Sequence, residues 1–452
     1  MTMTKTPDVQ AAPRDTATVN KLLFAKLMPL LIAAYVLSFL DRTNIALAKH
    51  HLDVDLGISA AAYGLGAGLF FLTYALSEVP SNLIMHKVGA RFWIARIMVT
   101  WGLISAAMAF VQGETSFYVL RLLLGIAEAG LFPGVMLYLT YWFGREQRAR
   151  ATGYFLLGVC LANIIGGPLG AALMQLDGVL GWRGWQWMFL LEGLPAAFFA
   201  MVVWKKLPNR PSDATWLSPA EAQQIERRLA SEAQEGAGQS GHSLKQCLTP
   251  QILLAIFVYF CHQITIYTVI FFLPGIIGKY GDLSALQIGF LTSLPWLAAA
   301  AGAIALPRFA NSPQRSRRML VTGLLTMAIG LGIASLAGPV ISLLGFCLSA
   351  VMFFVVQSII FLYPASRLNG AALAGGLGFV NSCGLLGGFV GPSVMGLIEQ
   401  TTGNAMYGLK VIAGVLVVAA IAALRLRMGH EQKGRVATGS SQAATDFGKS
   451  VH

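Results

Sequence analysis

Apolar runs of roughly 20 residues alternate with short polar breaks over most of this chain, and a helix of that length crosses the hydrocarbon core of a bilayer. Twelve runs fall near 25–46, 60–84, 93–111, 117–143, 149–176, 185–206, 250–278, 284–306, 318–338, 340–364, 370–399 and 405–425. The pattern predicts an all-α integral membrane protein with twelve transmembrane helices in two six-helix halves. It divides the chain into an N-terminal tail (1–24), a first bundle (25–206), a polar linker (207–249), a second bundle (250–425) and a C-terminal tail (426–452). Within the linker, Ser218-Pro219-Ala220-Glu221 has the form of a helix start, with Ser218 as cap and Glu221 three residues on. A short amphipathic helix over about 219–234 follows from it.

Composition agrees with the pattern. The chain is 56% apolar and 12% charged, with a mean hydropathy of +0.65, against about a quarter charged for a soluble domain. The net charge of +12 is topological. Of the 32 Lys and Arg, 26 lie on the side that holds both tails, and the opposite connections hold only Lys49, Arg183 and Lys279. This bias places both termini in the cytoplasm and leaves no nucleic-acid footprint. The polar first 20 residues and the long first run speak against a cleaved signal peptide. Five cysteines (Cys160, Cys247, Cys261, Cys347, Cys383) lack CxxC spacing and read as packing. His50-His51, beside Asp53 and Asp55, reads as a solvated loop, so no metal is expected.

Charges inside the spans are costly, about 2.5–3.5 kcal/mol each at the bilayer centre on insertion scales, and point to a functional site. Asp41 and Arg42 interrupt span 1; Arg121 and Glu128 interrupt span 4. Seven residues apart on a helix, Arg121 and Glu128 project within about 20° of each other. Gly125 between them leaves space. Tyr74, Glu78 and Asn82 share a face of span 2. The two halves also echo one another. Span 5 carries Asn163 and a Gly166-Gly167-Pro168 step; span 11 carries Asn381, Gly387-Gly388 and Gly391-Pro392. Matched, interrupted, glycine-rich helices point to a transporter built from repeats.

These residues resemble the major facilitator superfamily, and within it the anion:cation symporter family. The resemblance rests on Phe39-Leu40-Asp41-Arg42-Thr43-Asn44, on Tyr74 to Asn82 with Glu78 and Pro80, and on Arg121 to Gly134 with Gly125, Glu128, Gly130 and Pro133. Gly184-Trp185-Gln186-Trp187, Leu191-Glu192-Gly193-Leu194-Pro195, Trp216-Leu217-Ser218-Pro219 and Gly387 to Pro392 extend it over roughly 25–425. It implies a bacterial inner-membrane carrier, monomeric, in which Asp41 and Glu128 are the proton-coupling pair. The sequence departs from the family at the gate motif, where His86 and Asn311 stand in place of Asp. It also departs in span 5, where no Gln is present, and in span 10, which looks apolar.

The chemistry of the charges suits a small carboxylate. Arg offers a bidentate fork to a carboxylate stripped of water. A carboxylic acid whose Arg partner is captured by substrate couples a proton to that capture. The expected cycle protonates Asp41 and Glu128, frees Arg42 and Arg121 for the anion, and uses Tyr74 and Asn381 as hydrogen-bond donors. Phe361 is a further candidate for the pocket wall, and Glu78 and Asn163 are supporting residues. Glu192 reads as structural; Glu399 and Lys410 read as interfacial. Without coupling, the same pocket would serve an exchanger or passive facilitator. No nucleophile–base pair, HExxH or phosphate loop suggests an enzyme, and no cofactor is expected. Sugar acids, tartrate-like diacids and aromatic acids all remain open as substrates, with the apolar span 10 leaning towards a less hydroxylated anion.

Overall fold

The computed structural model describes residues 14–237, 248–310, 312–336, 338–368 and 370–428. Among them are twelve helices long and apolar enough to cross a membrane. Spans 1–6 are Thr16–Leu56, Ala60–Val88, Ala90–Phe110, Glu114–Thr140, Glu146–Met174 and Gly184–Lys206. Spans 7–12 are Pro250–Gly278, Ala285–Phe309, Pro313–Ala334, Pro339–Ala365, Gly376–Thr402 and Ala405–Ala423. An even number of crossings brings Thr16 and Ala423 to one face, here the terminal face; the other is the far face.

Span 1 departs furthest from the sequence pattern, at both of its ends. Span 1 is helical from Thr16 rather than 25, because Val19 and Leu23 pack into the core and give the extra turns a partner. His50 and His51 lie in helix Ile45–Leu56, closed by Gly57 at φ +66°, rather than in a loop. Asn311 and Cys247 fall outside the described residues. The remaining gate residue, His86, has its Nδ1 3.3 Å from the Tyr141 hydroxyl.

The halves meet most closely towards the far face, through glycines. A Cβ on Gly64 would stand 2.3 Å from the Pro392 carbonyl oxygen, and one on Gly396 2.4 Å from that of Ala60, so spans 2 and 11 touch backbone to backbone. A Cβ on Gly167 would stand 2.4 Å from the Gly289 oxygen, which joins spans 5 and 8 in the same way. Small residues of this kind permit close approach where lipid offers no hydrophobic drive between helices. Glu399 of span 11 completes the seal. It is ion-paired to Lys49 of span 1 and, at 2.9 Å, to Lys279 after span 7. Glu399 is therefore a bridge between the halves, and the interfacial role expected of it is corrected: two cations within reach outcompete water. Towards the terminal face, Asn381 and Ser382 of span 11 donate to Glu78 of span 2 at 3.0 and 2.5 Å.

The linker helix spans Pro219–Ala237. Ser218 and Glu221 form the expected reciprocal cap, with Ser218 N–H on Glu221 Oε2 at 2.9 Å. Glu221 also receives Arg14 Nε and Nη2 at 2.8 and 2.9 Å, which ties the start of span 1 to the linker.

Two outcomes follow. A Val at position 167 cannot fit against the Gly289 carbonyl, so Gly167→Val opens the far face; labelling of a cysteine placed at the far-face mouth then rises relative to the same cysteine in the parent. The Arg14 hydrogen bond holds the Glu221 carboxyl down at about 2. A lowered acid stabilises docking above the ordinary carboxylate range, near 4.3, and loses that contribution as pH falls through the lowered value. The protection factor for hydrogen exchange at the start of span 1, with the intrinsic pH dependence divided out, should thus be high at pH 5 and drop towards pH 2. In Glu221→Gln it should be low throughout.

Candidate functional site

Span 4 is two half-helices. Glu114–Glu128 ends at Ala129, whose backbone is extended (φ −56°, ψ 133°), and Gly130 at φ +94° turns the chain into Leu131–Thr140. Only glycine adopts that φ without strain. Ser81 of span 2 caps the break, donating to the Ala129 carbonyl at 2.7 Å and accepting from Trp93 Nε1 at 2.9 Å. Glu128 is thus the last residue of a half-helix, where the negative end of the dipole adds to its own charge.

The compensation comes from span 1. Arg42 forms a salt bridge to Glu128 Oε1, and Ser38, one turn earlier on the same face, donates to that oxygen at 2.5 Å. Arg42 and Glu128 are 5% and 1% exposed, so the pair sits out of water. The guanidinium carbon lies 4.5, 5.1 and 5.3 Å from the ring centroids of Phe39, Phe70 and Tyr74, within cation–π range. Arg42 Nη1 also reaches Tyr267 Oη of span 7, at 3.4 Å.

Arg42 forms one wall of the principal cavity, of about 620 Å³ with its mouth. Tyr35, Tyr74 and Tyr267 stand beside it. The opposite wall is a neutral polar cluster from the second half. Tyr259 Oη donates to Asn381 Oδ1 at 3.3 Å and accepts from Gln263 Nε2 at 3.0 Å and Gln357 Nε2 at 3.3 Å. Gln263 Oε1 is buried without a partner. One cation faces a set of amides and a phenol, which fits a carboxylate joined to hydroxyl or further polar groups.

The structure brings Arg42, Tyr74 and Asn381 to this cavity and sets Glu128 directly behind Arg42. It separates the others. Arg121 is off the wall: its Nε and Nη2 donate to the Gly66 and Ala67 carbonyls of span 2 at 3.1 and 3.2 Å. A helical side chain leans towards the N-terminus of its helix. In span 4 that direction is the far face, where the glycine-rich stretch of span 2 leaves carbonyls within reach. Phe361 lies behind the wall, edge-on to Tyr259 at 5.1 Å, and orients that phenol rather than meeting the cavity. Asp41 faces away from Arg42, between spans 3 and 6, accepting from Ser105 Oγ at 2.7 Å and Trp101 Nε1 at 2.8 Å. Glu78 joins the halves through Asn381 and Ser382. Asn163 donates to the Val159 carbonyl and lines a smaller, second cavity nearer the far face.

Sequence reasoning missed Ser38, Tyr35, Tyr259, Gln263, Tyr267 and Gln357. Two signals were present. Gln357 is an amide in the apolar run Phe353 to Phe361, and Ser38 and Tyr35 precede Arg42 by four and seven residues. With Gln357 and Gln263 on the wall, the second half of the pocket is more polar than span 10 suggests.

A family model described as Major Facilitator Superfamily matches residues 31–392. A "Putative tartrate transporter" of Agrobacterium vitis is 42% identical over 91% of this chain and 95% of its own length. The inner membrane transport protein RhmT of Escherichia coli (strain K12) is 37% identical, over 90% and 94%. A quinolone resistance transporter of Acinetobacter baumannii is 38% identical, over 87% and 91%. Among solved structures, a D-xylose-proton symporter superposes with a TM-score of 0.71 at 13% identity, covering 89% of this chain and 98% of that one. An inward-facing bacterial homologue of the lysosomal transporter Spinster gives 0.70 at 16%, covering 88% and 96%. At such identities the likeness is one of fold.

Removing one member of a buried ion pair leaves the other uncompensated and costs about 3–5 kcal/mol, whereas replacing both is far milder. Arg42→Gln should therefore lower the thermal midpoint of the purified protein more than the double change Arg42→Gln with Glu128→Gln. An equal or larger loss in the double variant would show that the pair is not the dominant local constraint.

Proposed function

Because this chain belongs to the Major Facilitator Superfamily of membrane transporters, we propose that it imports a small hydroxylated carboxylate together with protons by alternating access. The proposed setting is a bacterial inner membrane, with both termini cytoplasmic, in keeping with the Lys and Arg bias of the loops.

One observation carries the proposal: the cation on the cavity wall, Arg42, is held by an acid, Glu128, that a proton neutralises. With Glu128 ionised, Arg42 is committed to it. A proton on Glu128 removes that claim, and the guanidinium turns to the substrate carboxylate, with the Tyr74 and Tyr267 phenols beside it. The hydroxyl groups of the anion meet Gln263, Gln357 and Tyr259. Span 11 feels the occupant through Asn381, which touches both Tyr259 and Glu78 and so links the substrate to the contact between the halves. Loss of substrate and proton to the terminal face returns Arg42 to Glu128. Asp41 is the second proposed proton carrier. The similarity to a tartrate transporter supports a hydroxylated organic anion.

The test is uptake into proteoliposomes of sugar acids, tartrate-like diacids and aromatic acids, with an inward proton gradient imposed or collapsed. Symport predicts accumulation that vanishes with the gradient. Equal uptake with and without the gradient identifies an exchanger or facilitator instead. Arg42→Lys keeps the charge but loses the planar fork, so its half-saturation concentration should rise by about tenfold, or about 1.4 kcal/mol. Glu128→Gln should abolish gradient-driven accumulation while retaining counterflow.

A further inference from the structure

Glu192 of span 6 is a buried acid that the transport cycle above leaves unused. It is 4% exposed, and neither carboxyl oxygen has a hydrogen-bond partner. It lies eight residues from the start of its helix at Gly184, hence about 12 Å inside the far face. Its surroundings hold no counter-ion. Span 1 presents Asp41 and the Asn44 amide to it. Span 5 presents the backbone of Gly170, where a Cβ would stand 3.4 Å from Oε1, and its charged residues Arg145, Glu146, Arg148 and Arg150 are at the other end of that helix. Span 3 presents Trp101 and Ser105, both committed to Asp41, and its arginines, Arg91 and Arg96, sit near the terminal face. On span 6 itself, Lys205 and Lys206 are in the last turn, at the terminal face.

Two carboxyls thus face one compartment, and among the described residues no cation is paired with either. Asp41 has a donor on each oxygen. Glu192 has only the Asn44 amide beside it, and an ionised carboxylate without counter-charge is costly to bury. Such pairs carry a single charge between them. Asn44 stands beside Glu192 and also lines the second cavity, with both of its amide atoms unpartnered. That cavity shares Ile270 and Trp296 with the principal one, so the two lie end to end, with the smaller nearer the far face. It is roomy and polar enough at Asn44, Thr43, Asn163 and Thr292 for water.

We propose that Glu192 is a proton-holding residue that receives a proton from water of the second cavity beside Asn44 and passes it to Asp41, on a route that bypasses the anion-binding cavity. The transfer is concerted: as the Glu192 O–H bond breaks and an Asp41 O–H bond forms, Glu192 takes up a proton from water of the second cavity, so no unpartnered carboxylate is left behind. The inference rests on the proton-coupled reading of the same protein, and it gives Asp41, which faces away from the substrate, a source for its proton.

Infrared difference spectroscopy of the reconstituted full-length protein, on stepping the far-face pH upward, provides a readout that a static structural acid would not move. The protonated-carboxyl C=O band should decline in the parent, be missing in Glu192→Gln and persist in Asp41→Asn. The pH profile of uptake in Glu192→Gln should flatten. A band unaffected by Glu192→Gln, or an unchanged pH profile, overturns the proposal. Should Glu192→Gln fail to fold, Asn44→Leu retains both carboxyls and blocks the water beside them; it should slow the band's decline, and an unchanged rate overturns the relay. Failure of the symport reading is distinguished from failure of this one, because gradient-indifferent uptake by the parent sinks the former while the infrared band still reports on Glu192.

Discussion

A positive charge inside a membrane protein persists only beside a negative one or a set of oriented carbonyls, and in the Arg42–Glu128 pair each charge is unfavourable alone. Glu128 ends a half-helix, where the backbone dipole already repels it; Arg42 stands among aromatic rings without water. Their pairing ties span 1 to span 4 and fixes where the principal cavity has its cation. Much of the first half is arranged around it: Gly130 breaks span 4 at the right place, Ser81 caps the break, and Ser38 adds a second short bond to the oxygen that Arg42 holds. The pair remains under-satisfied, with Arg42 Nε and Glu128 Oε2 lacking partners. It therefore specifies an arrangement more than it adds stability.

The second half answers with neutral groups. Tyr259, Gln263, Gln357 and Asn381 share hydrogen bonds among themselves, so an incoming hydroxyl exchanges with existing partners instead of meeting a bare polar wall. Division of labour follows from this. The first half supplies the charged pair, the second supplies neutral polar groups, and Asn381 joins those groups to the contact between halves through Glu78.

Most of the architecture was legible from apolar periodicity, because a bilayer permits few backbone solutions: twelve runs became twelve spans. The charged residues were legible as costs. Which charges would meet was not. Helical phase set Arg121 and Glu128 on one face, yet phase does not name a side chain's partner, and Arg121 turned to the Gly66 and Ala67 carbonyls of span 2 rather than to the acid. Arg42 and Glu128 are 86 residues apart in sequence, so only the packing of spans 1 and 4 reveals the pair. Asp41 and Arg42, adjacent in the chain, diverge around the helix and serve different compartments. The amide wall was hidden for another reason: single glutamines scarcely change the hydropathy of an apolar run.

The seal at the far face has a different physical character from the central pair. Glu399 holds Lys49 and Lys279, and Lys279 is 54% exposed. Charges that touch water are screened by dissolved ions over roughly 10 Å at 0.1 M, whereas Arg42 and Glu128 are shielded from them. Ionic strength therefore acts on the two contacts selectively, loosening the far-face clasp while leaving the central one intact.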